Sequence, residues 1–257
     1  MFVDTHCHLD HPSLTARLPE VLDAATLARV TRYIVPGVGP AGWESIAALA
    51  KSSNAIFPAY GLHPMLADRF QKALLDRLEF FVQSSVAVGE IGLDYALAGV
   101  PRDFQMTAFR IQLQLAVAAG LPVLLHCRKA FHDLLRIMKE ENVQRVGGVM
   151  HAFSGSPEIA GECVKLGLCI SISGAVTYLN ARRPAEVVGK LPLDHLLLET
   201  DAPDMTPEPY RGRSNEPAFL IEIARKVAEI RGIDLEEVAE VTTRNAERLF
   251  GLKTGNW

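Results

Sequence analysis

Two histidines lie one residue apart in the stretch FVDTHCHLD, at the end of a short apolar run. The run is typical of a buried strand, and alternate side chains of a strand point to the same side. His6 and His8 would then share one face, with Cys7 on the other. Two converging imidazoles can hold a divalent metal, whereas two incidental histidines at a loop or helix cap are the alternative, and these residues alone leave both open.

Other metal-binding side chains follow other apolar runs. They are Glu90 in VAVGEIGLD, His126 in PVLLHCR, His151 in GGVMHAF and Asp201 in LLLETDAPD. A buried ionisable group is destabilising unless it is paired or coordinated, so its recurrence at one end of run after run predicts a shared site. With His6 and His8 these groups make four imidazoles and two carboxylates, more than one tetrahedral zinc takes. They suit two divalent ions with a bridging carboxylate, and Glu90 is the expected bridge.

Short β-rich runs would position these groups. The predicted strands cover residues 2–5, 33–35, 55–62, 86–91, 123–126, 148–151, 169–173 and 196–199. Amphipathic segments predict helices between them, at residues 18–30, 43–52, 74–83, 104–120, 130–142, 156–167 and 184–191, and two more at 217–230 and 235–249. Strands that alternate with helices imply parallel strands with right-handed crossovers.

An α/β fold of the (β/α)8 TIM barrel type fits this order best. Such a barrel uses roughly 250 residues and carries its catalytic groups at the carboxyl ends of its strands, where these histidines and carboxylates fall. No glycine-rich loop follows the first strand, which argues against a dinucleotide-binding sheet. No repeat or linker divides the chain, so we expect one domain over residues 1–257.

The composition excludes several classes of protein. A formal net charge of −4 gives no global basic field for a polyanion, so any contact with nucleic acid would be local. The 4 cysteines have no regular spacing and do not suggest a disulfide framework. No apolar run is long enough to cross a bilayer. We therefore expect a soluble cytoplasmic protein without a membrane role.

Several motifs in order resemble the TatD family of metal-dependent hydrolases, within the amidohydrolase-like superfamily. They are DTHCHLD, GLHP, VGEIGLD, LHCR, HAFSG and LLLETDAPD, and the wording is most similar to the YjjV-type branch of the family. The resemblance continues to NEPAFL and NAERLFG, so it covers nearly the whole chain. It implies the distorted barrel architecture of amidohydrolase-like enzymes.

The resemblance also implies residue roles. His6, His8 and Asp201 would bind one metal, His126 and His151 the other, and Glu90 both. The implied cofactors are two divalent ions, for which this histidine-rich set suits zinc, manganese, iron or nickel better than magnesium alone. Where the family often has serine after the fifth-strand histidine, this chain has Cys127, which we expect to pack outward as a small apolar side chain.

The activity implied is hydrolysis of phosphodiester bonds in nucleic acid, commonly as a 3′→5′ exonuclease. The chain would be a deoxyribonuclease with nucleic acid as substrate and with no obligatory protein partner evident. A metal-activated hydroxide would be the nucleophile, and Asp201 the catalytic proton acceptor. The sequence offers no arrangement of residues for a serine or cysteine triad.

Further residues are candidates for contacting substrate or orienting the ligands: His63, Arg128, Asp204, Arg211 and Arg213. His63 is expected to touch the site without coordinating a metal. Asp204 would orient Asp201 or His63, or else cap a turn. The arginines would pair with phosphate, or else belong to ordinary polar surface segments.

Other functions share the same residues. Similar histidine barrels hydrolyse lactones, amides, phosphotriesters or acyl esters, and removal of D-amino acids from charged tRNA belongs to the last class; fold alone does not choose among them. A non-enzymatic metal-holding or partner-binding barrel would be favoured by a damaged ligand set. Every expected ligand is intact here, so we favour an enzyme.

Overall fold

One sheet of eight parallel strands forms the centre of the computed structural model, which describes residues 1–253. The strands are β1 (Phe2–Asp4), β2 (Val30–Gly37), β3 (Ile56–Tyr60), β4 (Ala87–Asp94), β5 (Val123–Arg128), β6 (Gly148–Met150), β7 (Leu168–Ile172) and β8 (Leu196–Leu198). Each pairs in parallel with the next. The Thr5 amide donates to the Leu198 carbonyl at 3.1 Å and the Asp201 amide to the His6 carbonyl at 2.9 Å, which joins the first strand to the last. The predicted (β/α)8 barrel is confirmed.

Helices follow the strands as the sequence predicts. They are α1 (Pro12–Thr15), α2 (Leu18–Leu27), α3 (Trp43–Ser52), α4 (Lys72–Val82), α5 (Arg102–Ala119), α6 (Phe131–Glu140), α7 (Pro157–Lys165), α8 (Arg182–Lys190), α9 (Leu220–Arg231) and α10 (Leu235–Phe250). The single-turn helix α1 has no counterpart among the predicted helices, because four residues are too few to show a helical period. Residues 217–219, expected to begin α9, form a separate 3-10 turn.

The inside of the barrel is built in two layers, because side chains alternate along each strand. One residue from every strand forms an apolar lower layer: Val3, Ile34, Ala59, Ala87, Leu124, Val149, Cys169 and Leu197. Phe250 of α10 and Leu252 pack against this layer and cover the bottom of the barrel. Two positions after Leu124, Val149 and Leu197 of this layer are His126, His151 and Glu199, respectively. Polar groups therefore lie at the carboxyl end of the barrel, above an apolar floor.

Two glycines allow the strands to approach closely at the polar layer. A Cβ atom on Gly61 would lie 2.7 Å from the carbonyl carbon of Gly89. A Cβ atom on Gly89 would lie 2.4 Å from the Cβ of Leu124. A larger residue at either position would push apart β3, β4 and β5, and would displace the Glu90 that follows.

Two expectations concern the chain as a whole. Within residues 1–253, no helix combines the length and the apolar character that crossing a bilayer demands. The expected domain of residues 1–257 includes residues 254–257, which lie outside the part of the chain that the structure describes.

Candidate metal centre

The carboxyl ends of the strands surround a cavity of about 390 Å³. Its wall includes His8, Glu90, His126, His151 and Asp201, all predicted as ligands. His6, the sixth, is fully buried directly beside them. The structure thus brings together side chains that are separated by as many as 195 positions in the chain.

His6 and His8 converge, although not for the reason that the sequence suggested. β1 ends at Asp4, so both histidines lie in the loop that follows and strand alternation does not align them. This corrects the prediction that they share a strand face. Their Nε2 atoms are nevertheless 3.3 Å apart, and each lies 3.6 Å from Oδ1 of Asp201.

Glu90 lies at the centre of the cluster. Its Oε2 is 3.5 Å from Nε2 of His6. Its Oε1 is 3.1 Å from Nδ1 of His126, 3.5 Å from Nε2 of His151 and 3.6 Å from Nε2 of His63. One carboxylate oxygen of Glu90 therefore faces His6, and the other faces His126 and His151, as a carboxylate that bridges two ions requires.

These distances fit divalent cations held between the side chains. Two ligand atoms at about 2.0–2.2 Å from a tetrahedral cation lie roughly 3.4 Å from each other. Nitrogen and oxygen atoms at 3.1–3.6 Å match that spacing. The donor groups gather as His6, His8 and Glu90 on one side and as His63, Glu90 and His126 on the other, with a third group of His6, His151 and Glu199.

His63 has a hydrogen-bond partner that decides its role. Its Nδ1 accepts a hydrogen bond from the Met65 amide at 3.1 Å, so the ring proton must lie on Nε2. Burial is the main reason that the pKa of His63 falls to about 4, which keeps the ring neutral. Nε2 then donates to Glu90 or to a bound group and has no lone pair for a metal. This favours contact without coordination.

Two carboxylates that the sequence analysis gave no role contact the predicted ligands. Oδ2 of Asp94 lies 3.3 Å from Nε2 of His126. Oε1 of Glu199 lies 3.2 Å from Nδ1 of His151 and accepts a hydrogen bond from the Ala152 amide at 2.5 Å. A carboxylate that receives one ring N–H leaves the other nitrogen free for a metal. Asp94 and Glu199 belong to the motifs VGEIGLD and LLLETDAPD, respectively, and these motifs are the sequence signal that points to them.

The charges of the cluster favour cations. Burial acts to raise the pKa of Glu90, but the charge of His151 and hydrogen bonds from His126 and His6 outweigh it and hold that pKa well below its ordinary value. Burial also acts to raise the pKa of Asp201, but His151 and His8 outweigh it, so that this pKa too lies below its ordinary value. Both carboxylates are therefore ionised at neutral pH, and a divalent cation would find compensating charge in the centre.

Asp4 joins the two loops that carry the first ligand group. Its Oδ1 accepts hydrogen bonds from the Thr200 amide at 2.9 Å and the His6 amide at 3.3 Å, and its Oδ2 accepts one from the Thr200 hydroxyl at 2.5 Å. Asn215 donates to the Thr200 and Asp204 carbonyls at 2.8 Å and 2.6 Å. The backbone beside Asp201 is thus tied to the backbone of His6.

The remaining predicted residues divide into two sets. His63 and the exposed Asp204 line the cavity, and the Asp204 amide donates to the Asp201 carbonyl at 2.8 Å. The second set is Arg128, Arg211 and Arg213, which are exposed. Within the described residues 1–253, none of these arginines lines the cavity. The Arg211 guanidinium lies 4.4 Å from the ring centre of Tyr178.

Cys127 is buried between the strands and the helices, as expected. Burial raises the pKa of its thiol to about 12. The sulfur is thus a protonated, packed group rather than a soft metal ligand.

A family model and individual relatives match nearly the whole chain. The model described as TatD related DNase matches residues 3–251. The uncharacterised metal-dependent hydrolase YabD of Bacillus subtilis is 40% identical over 252 residues, which cover 97% of this chain and 99% of that protein.

Solved structures agree with these matches. The crystal structure of YjjV, a TatD homologue from Escherichia coli, superposes with a TM-score of 0.93 at 35% identity and covers 98% of each chain. A mutant of an organophosphorus hydrolase from Deinococcus radiodurans reaches a TM-score of 0.68 at 14% identity, over 97% of this chain and 93% of that one, and this likeness concerns the fold alone.

Proposed function

This chain belongs to the TatD-related DNase family of metal-dependent hydrolases, and on that premise we propose that it is a deoxyribonuclease acting as a 3′→5′ exonuclease. The observation that carries the proposal is the position of Glu90. Its two carboxylate oxygens lie within 3.6 Å of nitrogens on four histidines, beside an open cavity. Such a centre suits an anionic diester that must be held and attacked at one phosphorus atom.

We propose two divalent ions, held by His6, His8 and Asp201 on one side and by His126 and His151 on the other, with Glu90 shared. When bound, such ions supply Lewis acidity that polarises a phosphoryl oxygen and lowers the pKa of water. Because imidazole suits zinc, nickel and manganese, we expect these to bind more tightly than magnesium, which prefers oxygen ligands.

The chain's own residues would move the protons. Asp201 lines the cavity and accepts a proton from the attacking water as the water oxygen bonds to phosphorus. The P–O3′ bond breaks, and Asp201 returns a proton to the leaving 3′ oxygen. The Nε2–H of His63 donates to a non-bridging phosphoryl oxygen. The four cysteines are free and buried, which suits the cytoplasmic location that we propose.

Release of nucleotides from a 3′-labelled single-stranded DNA tests this function. We expect metal-dependent release by the native chain and at least an about 100-fold lower kcat for Asp201→Asn, which keeps an oxygen ligand but loses the proton acceptor. Asp76→Asn, an exposed change on α4, is the matched control and should retain full activity.

Two results would contradict the proposal. Near-native turnover by Asp201→Asn, with the metal content unchanged, would remove the proton-transfer role. Hydrolysis of a lactone, an acyl ester or D-aminoacyl-tRNA, without nucleotide release from DNA, would assign the centre to another ester or amide substrate.

A further inference from the structure

A second cavity of about 270 Å³ adjoins the metal centre and has no role in the mechanism above. Asp10 and Val38 line both cavities, so the two spaces are neighbours. We call the second one the side cavity. Its wall is mainly apolar and includes Val38, Leu62, Leu66 and Leu74.

Two glycines of the stretch VGPAG leave space for the side cavity. Gly39 and Gly42 both line it, and neither has a positive φ, so the backbone would accept other residues there. A Cβ atom on Gly39 would lie 2.4 Å from Cδ1 of Leu66, and one on Gly42 would lie 3.1 Å from Oδ2 of Asp10. The two glycines therefore leave room for the Leu66 and Asp10 side chains in the wall of the cavity.

Polar groups lie at two places in this apolar wall. Oδ1 of Asp10 is buried and has no hydrogen-bond partner within the described chain. The exposed Arg69 lines the cavity as well. Because Asp10 also lines the cavity, its carboxylate is suited to a ligand that brings an N–H or O–H group.

We propose that the side cavity is a subsite for the nucleobase of the nucleotide being released, an inference that rests on the proposed function. A base has apolar faces, which suit the leucines, and an edge of N–H and carbonyl groups, which suit Asp10 and Arg69. Pockets for drug-sized ligands begin near 300 Å³, so this space suits one ring system rather than a whole nucleotide. The shared wall brings the base next to the phosphate at the metal centre.

The test compares two DNA strands that differ in their 3′-terminal unit, a normal nucleotide or an abasic tetrahydrofuran. We expect the native chain to release the normal unit with a kcat/KM about tenfold higher, from the contacts of the base alone. Leu66→Trp, which fills the side cavity, should bring the two rates together. Leu27→Trp, at a surface position that is 88% exposed, should keep the tenfold preference.

A binding measurement separates this inference from the nuclease proposal. Calorimetry on the metal-loaded chain should show dAMP binding about tenfold more tightly than deoxyribose 5-phosphate, and equal binding of the two to Leu66→Trp. If Leu66→Trp does not fold, Gly39→Ala serves instead, because its methyl group would lie 2.4 Å from Cδ1 of Leu66 and would force that side chain to move within the cavity wall.

The outcomes are distinct. Equal rates on both strands and equal binding by the native chain would overturn the subsite while the nuclease function stands. Tighter binding of butyl phosphate than of dAMP would assign the side cavity to an alkyl or acyl group. Absence of cleavage of either strand would overturn the nuclease function. The subsite would then still stand if the native chain binds dAMP more tightly than the sugar phosphate and Leu66→Trp binds the two equally.

Discussion

Single hydrogen bonds decide which histidine nitrogen can face a cation. The Met65 amide donates to Nδ1 of His63, which places the ring proton on Nε2 and argues against coordination by that ring. Asp94 faces Nε2 of His126, which leaves Nδ1 for Glu90 and a metal. Oε1 of Glu199 lies 3.2 Å from Nδ1 of His151, and Nε2 of the same ring faces Glu90. Neighbouring carboxylates thus select opposite nitrogens on two histidines of the same proposed site.

Glu199 is the sharpest place to test this selection. The change Glu199→Gln keeps the size but removes the negative charge that lies 3.2 Å from Nδ1 of His151, so we expect an about 10–100-fold weaker affinity for zinc or manganese. Competition with a chromophoric chelator measures it without reference to activity. Glu79→Gln, an exposed change on α4, is the control. Native affinity in Glu199→Gln would mean that His151 is oriented by other contacts.

Irregular strand ends aim the ligands at one another. Strict alternation from Ala87 would turn Glu90 outward, but the register of β4 against β5 shifts between Val88 and Ile91. The carboxylate lies at the centre of the site instead. The loops after β1 and β8 carry His6, His8 and Asp201 and are tied through Asp4 and Thr200.

Helix α10 provides a prediction at the same scale, because its side chains cover the floor of the barrel. Asp234 caps it, and its side chain accepts a hydrogen bond from the Glu237 amide at 2.7 Å. We expect Asp234→Ala to lower the free energy of unfolding by about 1 kcal/mol. A urea titration with an unchanged m value measures this.

The control for this change is Asp23→Ala, at an exposed interior position of α2. It should alter the free energy of unfolding by less than about 0.5 kcal/mol. Equal effects of the two substitutions would show that the Asp234 cap contributes nothing particular to α10.

At the scale of the whole molecule, the barrel separates stability from chemistry. An apolar layer with one residue from each strand fills the lower half, and α10 covers it. The upper half collects ionised carboxylates and histidines, and the burial of these carboxylates opposes folding. Cations that bind there would relieve this opposition, so metal binding and folding are coupled.

Metal removal should therefore lower the thermal stability. A ligand present at 100 times its Kd adds about 2.7 kcal/mol to the folded state, which for a chain of this size corresponds to a rise in Tm of roughly 5–10 °C. We expect zinc or manganese added to the chelated protein to raise Tm by that amount. The double variant His126→Asn and His151→Asn should show a smaller rise. A Tm that is independent of the metal in the native chain would argue against the ligand set.

The order of strands and helices was predictable from the sequence, and so was the position of the proposed ligands at strand ends. Hydrophobic periodicity reflects which face of each element is buried, and this pattern is carried by residues that are neighbours in the sequence. The TatD motifs likewise identified six proposed ligands, His6 and Glu90 among them. The convergence of His6 and His8 from a loop, the inward turn of Glu90 and the tautomer of His63 depend on backbone paths and partners elsewhere in the fold. The same holds for the side cavity beside Asp10. Only the tertiary structure decides such features, because they arise where distant segments meet.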